Sequence, residues 1–217
     1  MNFCSTASAD LAFEKGQCPL SHETKYHHAQ LPIDTYKREV DELADADYKM
    51  DWDSLRHQLG KHGIRNSTLM ALMPAETSAQ ISNSTNGIEP PRSLVSVKVS
   101  KDGVLKQVVP EVRKLKNKYD LLWDQKSPEG YLKICAVLQK FIDQGISVNT
   151  SYNPKFYEGE EIPLSELIKH IVMFYRYGGK QLYYFNVADG AGEQLLDYAP
   201  LATSDIVEDE DCSSCKI

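Results

Sequence analysis

The chain has 217 residues, 41% apolar and 25% charged, with 24 basic against 31 acidic residues and a net charge of −7. From Ala188 onward eight acids stand against one base, Lys216, so the tail alone carries −7 and the body is neutral on balance. That distribution gives no support to nucleic acid binding through a basic face, and no apolar run approaches the ~18–20 residues that a membrane-spanning helix needs.

Residues 1–7 lack the basic region and long apolar stretch of a secretory signal. Residues 5–15 read as a short helix broken at Gly16 and Pro19, and residues 21–33 as an irregular polar stretch with His22, His27 and His28. Asp34 predicts a cap for a helix over 35–47, and Asp51 another for 52–61, with Gly63 as its stop. Residues 67–73 are too apolar and too short for a surface helix and predict a strand buried on both faces, ended by Pro74. Residues 95–99 and 104–109, joined by Lys101-Asp102-Gly103, read as a β-hairpin. Helices follow over 111–120 and 129–143, the second stopping at Gly145, and a short strand over 146–150. Pro163 starts a helix to Tyr177, stopped by Gly178-Gly179, before a last strand over 181–185. Helices alternating with short buried strands predict an α/β architecture. Five cysteines are an odd number without framework spacing, which points to a reducing cytoplasm; Cys135 reads as core.

Three places carry candidate chemistry. Strand 67–73 runs into Pro74-Ala75-Glu76-Thr77-Ser78 and then a helix-compatible stretch, a geometry that aims N–H groups and the positive helix end at an anion. The same hydroxyls also make plain helix caps, and the Gly-rich stretch and Lys of a Walker loop are missing. Tyr183 and Tyr184 read either as ordinary strand aromatics or as a pair of redox-active phenols. Strand alternation would point them to opposite faces, so stacking requires a local bend.

Cys212 and Cys215 hang on a tail rich in acids and poor in branched or aromatic residues. Such a segment cannot offset the entropy of ordering, which predicts a mobile arm; about 30 flexible residues have a root-mean-square span of about 30 Å. A mobile dithiol can carry reducing equivalents by attack on a disulfide. The neighbouring acids disfavour the thiolates, so these thiols need a partner's environment to react. A zinc site would need two more ligands, and Cys18 and the three histidines lie far upstream. An accidental pair stays open on spacing alone.

Taken in order, these segments resemble the large (catalytic) subunit of class Ia ribonucleoside-diphosphate reductase. The resemblance is carried by Arg65-Asn66-Ser67-Thr68-Leu69, by Pro74-Ala75-Glu76-Thr77-Ser78 and by Ile81-Ser82-Asn83-Ser84-Thr85-Asn86-Gly87-Ile88-Glu89-Pro90-Pro91-Arg92. Leu182-Tyr183-Tyr184 and the terminal Cys212, Cys215, Lys216 and Ile217 complete it. It implies the C-terminal part of a ten-stranded α/β barrel over 1–187 and a disordered, redox-active acidic tail over 188–217. Loop 74–78 would bind the diphosphate of a ribonucleoside diphosphate, although the family usually has serine where Ala75 stands. Tyr183 and Tyr184 would be the last relay stations for a radical from the small subunit, which holds the tyrosyl radical and dimetal centre. Cys212 and Cys215, more tightly spaced than is usual in the family, would reduce the active-site disulfide and be re-reduced by thioredoxin or glutaredoxin. Helix 163–177 would lie near the groove that docks the small subunit's C-terminus.

The resemblance assigns no metal and no cofactor to this chain. The family's thiyl-radical cysteine, its two reducing active-site cysteines and both effector sites have no counterpart here, and Cys4, Cys18 and Cys135 match none of those motifs. The expectation is a cytoplasmic C-terminal piece of the large subunit, either a fragment of it or, the favoured reading, one part of a naturally split subunit, as arises when an intervening element interrupts the gene in some phages. Such a piece works only with the N-terminal part of the large subunit. The alternative is a non-catalytic fragment that binds and modulates reductase subunits.

Overall fold

The computed structural model describes residues 1–45, 48–82, 84–100 and 103–188. Helix α1 (Asn2–Lys15) buries Ser5, Ser8, Ala9 and Ala12 against α3, while its large side chains Phe3 and Phe13 face outward. The four small residues recur at helical spacing, which lets the two helices approach closely. Helix α2 is short (Pro32–Thr35), and a 3-10 turn follows at Arg38–Glu42 in place of the helix expected over 35–47. Pro32 fixes the helix start upstream of Asp34. Asp34 therefore sits in the first turn, accepting the Leu31 N–H at 2.8 Å and pairing with Arg56 at 2.6 Å. Helix α3 (Trp52–His62) forms as read, with Asp51 accepting from the Ser54 N–H at 3.0 Å and Gly63 ending it at φ 68°. Leu31, Ile33, Trp52, Leu55, Leu59 and Ile64 close the first core.

After α4 (Glu76–Ile81) comes the hairpin of β1 (Val95–Ser100) and β2 (Gly103–Val108), antiparallel, with Val95 opposite Val108. Helix α5 is only Val112–Leu115 plus a 3-10 turn, because its lysine-rich sequence offers no apolar stripe to extend a helix to 120. Helix α6 (Glu129–Gln139) stops before the expected 143. The buried Gln139 amide donates to the carbonyls of Ile142 and Gln144 and accepts from the Ile146 N–H, replacing the next helical turn.

The second core lies around a parallel array. Strand β3 (Val148–Tyr152) pairs with β4 (Leu182–Val187), and α7 (Leu164–Arg176) crosses between them. On the other side of the β3 segment, Leu72 bridges Ile146 in parallel, and the Ser147 N–H donates to the Leu72 carbonyl at 2.9 Å. The expected strand over 67–73 is thus reduced to one bridge, buried on one face only: Met70 and Leu72 pack on the core, whereas Ala71 and Met73 are exposed. The cause is Asp143, whose carboxylate takes the N–H groups of Leu69 (2.7 Å) and Met70 (2.8 Å) and removes them from a ladder. Central β3 is buried almost throughout, and Leu132, Cys135, Ala136, Ile146 and Phe174 pack around it. Cys135 is core, as read.

Candidate functional site

Strand β4 carries two adjacent tyrosines on one side of itself, which regular alternation forbids. Val148 pairs with Leu182 but Thr150 pairs with Phe185, so β4 holds one residue more than β3 over that interval. This bulge is the bend that stacking requires. It sets the Tyr183 and Tyr184 ring centroids 4.1 Å apart at 50°, and the Tyr184 hydroxyl donates to the Tyr183 oxygen at 3.2 Å. The rings are 52% and 58% exposed. That mutual hydrogen bond holds the Tyr184 phenol above its ordinary pKa.

At the bulge the Tyr184 N–H is met by a side chain, the Asn149 Oδ1 at 3.0 Å. Asn149 is 7% exposed, and its Nδ2 donates to the Glu89 carboxylate. Burial pushes the Glu89 carboxyl above the usual carboxylate range, against the opposing pull of that hydrogen bond and of Arg92. Phe185, next in the strand, lies against Tyr152 with centroids 5.1 Å apart. Tyr152 in turn shares a 3.0 Å hydrogen bond with Nδ1 of the fully buried His170, whose Nε2 meets the Ser127 hydroxyl at 3.1 Å.

Loop 74–78 enters α4, whose first turn closes with the Ala79 N–H on the Ala75 carbonyl at 2.7 Å. The Ala75 N–H itself donates to the Asn86 carbonyl at 2.7 Å. A phosphate contact to that particular amide would compete with an existing bond, which leaves the N–H groups of the first helical turn as the better donors. Pro74 and Ala75 are half-buried and Ser78 is exposed. The strap after α4 then links the two places: Asn86 holds the loop, and Glu89 holds Asn149 behind the tyrosines.

Cys212 and Cys215, with the rest of the tail from Asp189 onward, lie outside the described residues. The other three thiols stand apart: Cys4 is exposed, Cys18 half-buried, and Cys135 buried with its thiol pushed up to about 11 by burial. Among the described residues no cluster of three or more His, Cys, Asp or Glu could hold a metal, and no helix is long and apolar enough to cross a membrane. Helix α7 turns His170 and Phe174 inward and exposes Leu164, Ile168, Ile171, Val172 and Tyr175. Sequence reading missed the Glu89–Asn149 pair. Its available signal was an amide set in a strand otherwise expected to be buried, where a polar group must find a partner.

Comparison with known proteins identifies the family. Residues 2–185 match the family described as ribonucleotide reductase, barrel domain. The chain is 49% identical over 213 residues to ribonucleoside-diphosphate reductase 1 subunit alpha of Salmonella typhimurium, covering 97% of this chain and 27% of that protein. It is 48% identical over 213 residues to the Escherichia coli protein of the same name, with the same coverage. It is 41% identical over 213 residues to ribonucleoside-diphosphate reductase subunit alpha of Enterobacteria phage T4, covering 97% of this chain and 28% of that protein. The chain thus spans about a quarter of the length of the curated relatives it matches. With its α/β fold and a family match over nearly all the described residues, the chain belongs to the ribonucleotide reductase barrel-domain family.

Proposed function

We propose that this chain acts as the C-terminal portion of a ribonucleoside-diphosphate reductase large subunit, delivering a radical to the active centre through Tyr183 and Tyr184. The observation that carries this reading is the stacked, hydrogen-bonded pair on the β4 bulge. Each phenol loses an electron and a proton in turn. Their contact supports a short path for the electron, and the 3.2 Å hydrogen bond a path for the proton. The oxidising equivalent originates at the tyrosyl radical and dimetal centre of the small subunit.

The remaining roles follow the same division of labour. Loop 74–78, through the Thr77 and Ser78 hydroxyls and the N–H groups of the first turn of α4, anchors the diphosphate of a ribonucleoside diphosphate, while the Glu76 carboxylate, which repels phosphate, turns away or takes a sugar hydroxyl. The N-terminal part of the large subunit supplies the hydrogen-abstracting cysteine. Cys212 and Cys215 reduce the disulfide formed in each turnover and are recharged by thioredoxin or glutaredoxin. The exposed apolar face of α7 supports docking of the small subunit's C-terminus there. The compartment is the cytoplasm.

Mixing the chain with the N-terminal part and the small subunit tests this. Deoxyribonucleoside diphosphate should form, and Tyr183→Phe or Tyr184→Phe should cut turnover at least about a thousandfold, because Phe keeps the ring but has no phenolic proton to lose. Turnover by both variants within about twofold of the parent overturns the relay.

A further inference from the structure

We infer that Asn149 is a positioning residue for the tyrosine pair: its amide, oriented by Glu89, holds the β4 bulge that stacks Tyr184 on Tyr183. The inference rests on the relay reading of those tyrosines. Neither ring is fixed by burial, since both are more than half exposed. Their mutual geometry is therefore set by the backbone beneath them. In a regular parallel pairing the two side chains return to opposite faces of the strand.

What keeps the extra residue in place is a polar clamp. The Tyr184 N–H can only donate, so it requires the Asn149 oxygen; a carboxylate can only accept, so Glu89 requires the Asn149 nitrogen. A flipped amide would set donor against donor and oxygen against oxygen. Glu89 thus fixes which way the amide points. The amide between them is buried, Asn149 being 7% exposed, and Glu89 is half-buried, which limits the access of water to both bonds. Glu89 also lies three residues beyond Asn86, whose carbonyl holds Ala75. The same strap therefore spans from loop 74–78 to the tyrosines.

The test exchanges amide and carboxylate. Asn149→Asp sets a second carboxylate against Glu89, whereas Asn149→Asp combined with Glu89→Gln restores one donor–acceptor pair and leaves an oxygen for the Tyr184 N–H. In the assembled enzyme Asn149→Asp should lower kcat at least about tenfold with KM for the diphosphate within about twofold, and the double variant should recover to within about threefold of the parent. In the full chain labelled with 15N-tyrosine, exchange of the Tyr184 amide hydrogen should speed about tenfold in the single variant and slow again in the double. Parental kcat in Asn149→Asp, or a double variant no faster than the single, overturns the role of Asn149. Parental turnover by Tyr184→Phe overturns the relay itself, so the two failures are distinguishable.

Discussion

Two half-exposed tyrosines in contact bury little surface, so packing alone gives the protein small reason to set Tyr183 beside Tyr184. Such a ring pair contributes only about 0.5–1.5 kcal/mol beyond its buried area. Yet the strand departs from regular pairing to bring them together, and a buried amide is committed to the departure. The redox role proposed for the pair gives that arrangement a reason that stability does not. The tyrosines were legible in the sequence as a pair that would need a bend. The clamp was not, because Glu89 and Asn149 lie 60 positions apart and neither spacing nor periodicity joins them. The dithiol reading rests on the charge and composition of a tail that lies outside the described residues. Changing Cys212 or Cys215 to Ser should leave about one turnover per enzyme and then arrest with thioredoxin, while a small dithiol reductant sustains turnover. Sustained product formation by Cys212→Ser with thioredoxin would contradict the shuttle; product counted per enzyme against time decides it.

Among the elements, α6, α7 and β3 meet at one buried imidazole. His170 of α7 bridges Ser127, just before α6, and Tyr152 at the end of β3, with Glu166, Glu129 and Lys169 as the charged groups acting on it. Burial lowers its pKa, Lys169 adding to that and the two glutamates opposing it. The unfolded chain binds a proton near pH ~6.5 that the folded ring resists. Stability from this site is therefore complete above that pH and falls as pH drops toward the folded pKa. His170→Gln removes the titration. Its thermal midpoint should drop less than the parent's between about pH 7 and 5.5, although it starts lower from the lost packing. Parallel midpoint-against-pH curves would exclude His170 as the source. Element types followed the sequence well where a period or a cap decided them, as at Asp51, in the hairpin and in α7. They diverged where a side chain drew backbone groups away from the regular pattern. Asp143 takes the N–H groups of Leu69 and Met70, and Gln139 ends α6 early, and neither bond leaves a trace in local pattern.

At the scale of the whole molecule, large apolar side chains among the described residues stand exposed in three places. Phe3 and Phe13 of α1, Met73 and Ile81 beside loop 74–78, and the outer face of α7 all stand in the open. Among the described residues strand β4, which carries the tyrosines, is an edge strand paired on one side only. Alternating helices and strands made the α/β class readable, but which apolar side chains stay exposed is set by tertiary packing, of which composition carries no record.

Radical occupancy of the tyrosine pair is the central claim, and one spectrum addresses it. Tyr184 is replaced by a phenol analogue of lower oxidation potential, the chain is assembled with the N-terminal part, the small subunit and substrate, and the mixture is frozen for electron paramagnetic resonance. The expected result is a new signal on the analogue, growing as the small subunit's own radical declines by a matching amount. A small-subunit radical that persists unchanged, with no signal at position 184, would contradict the relay.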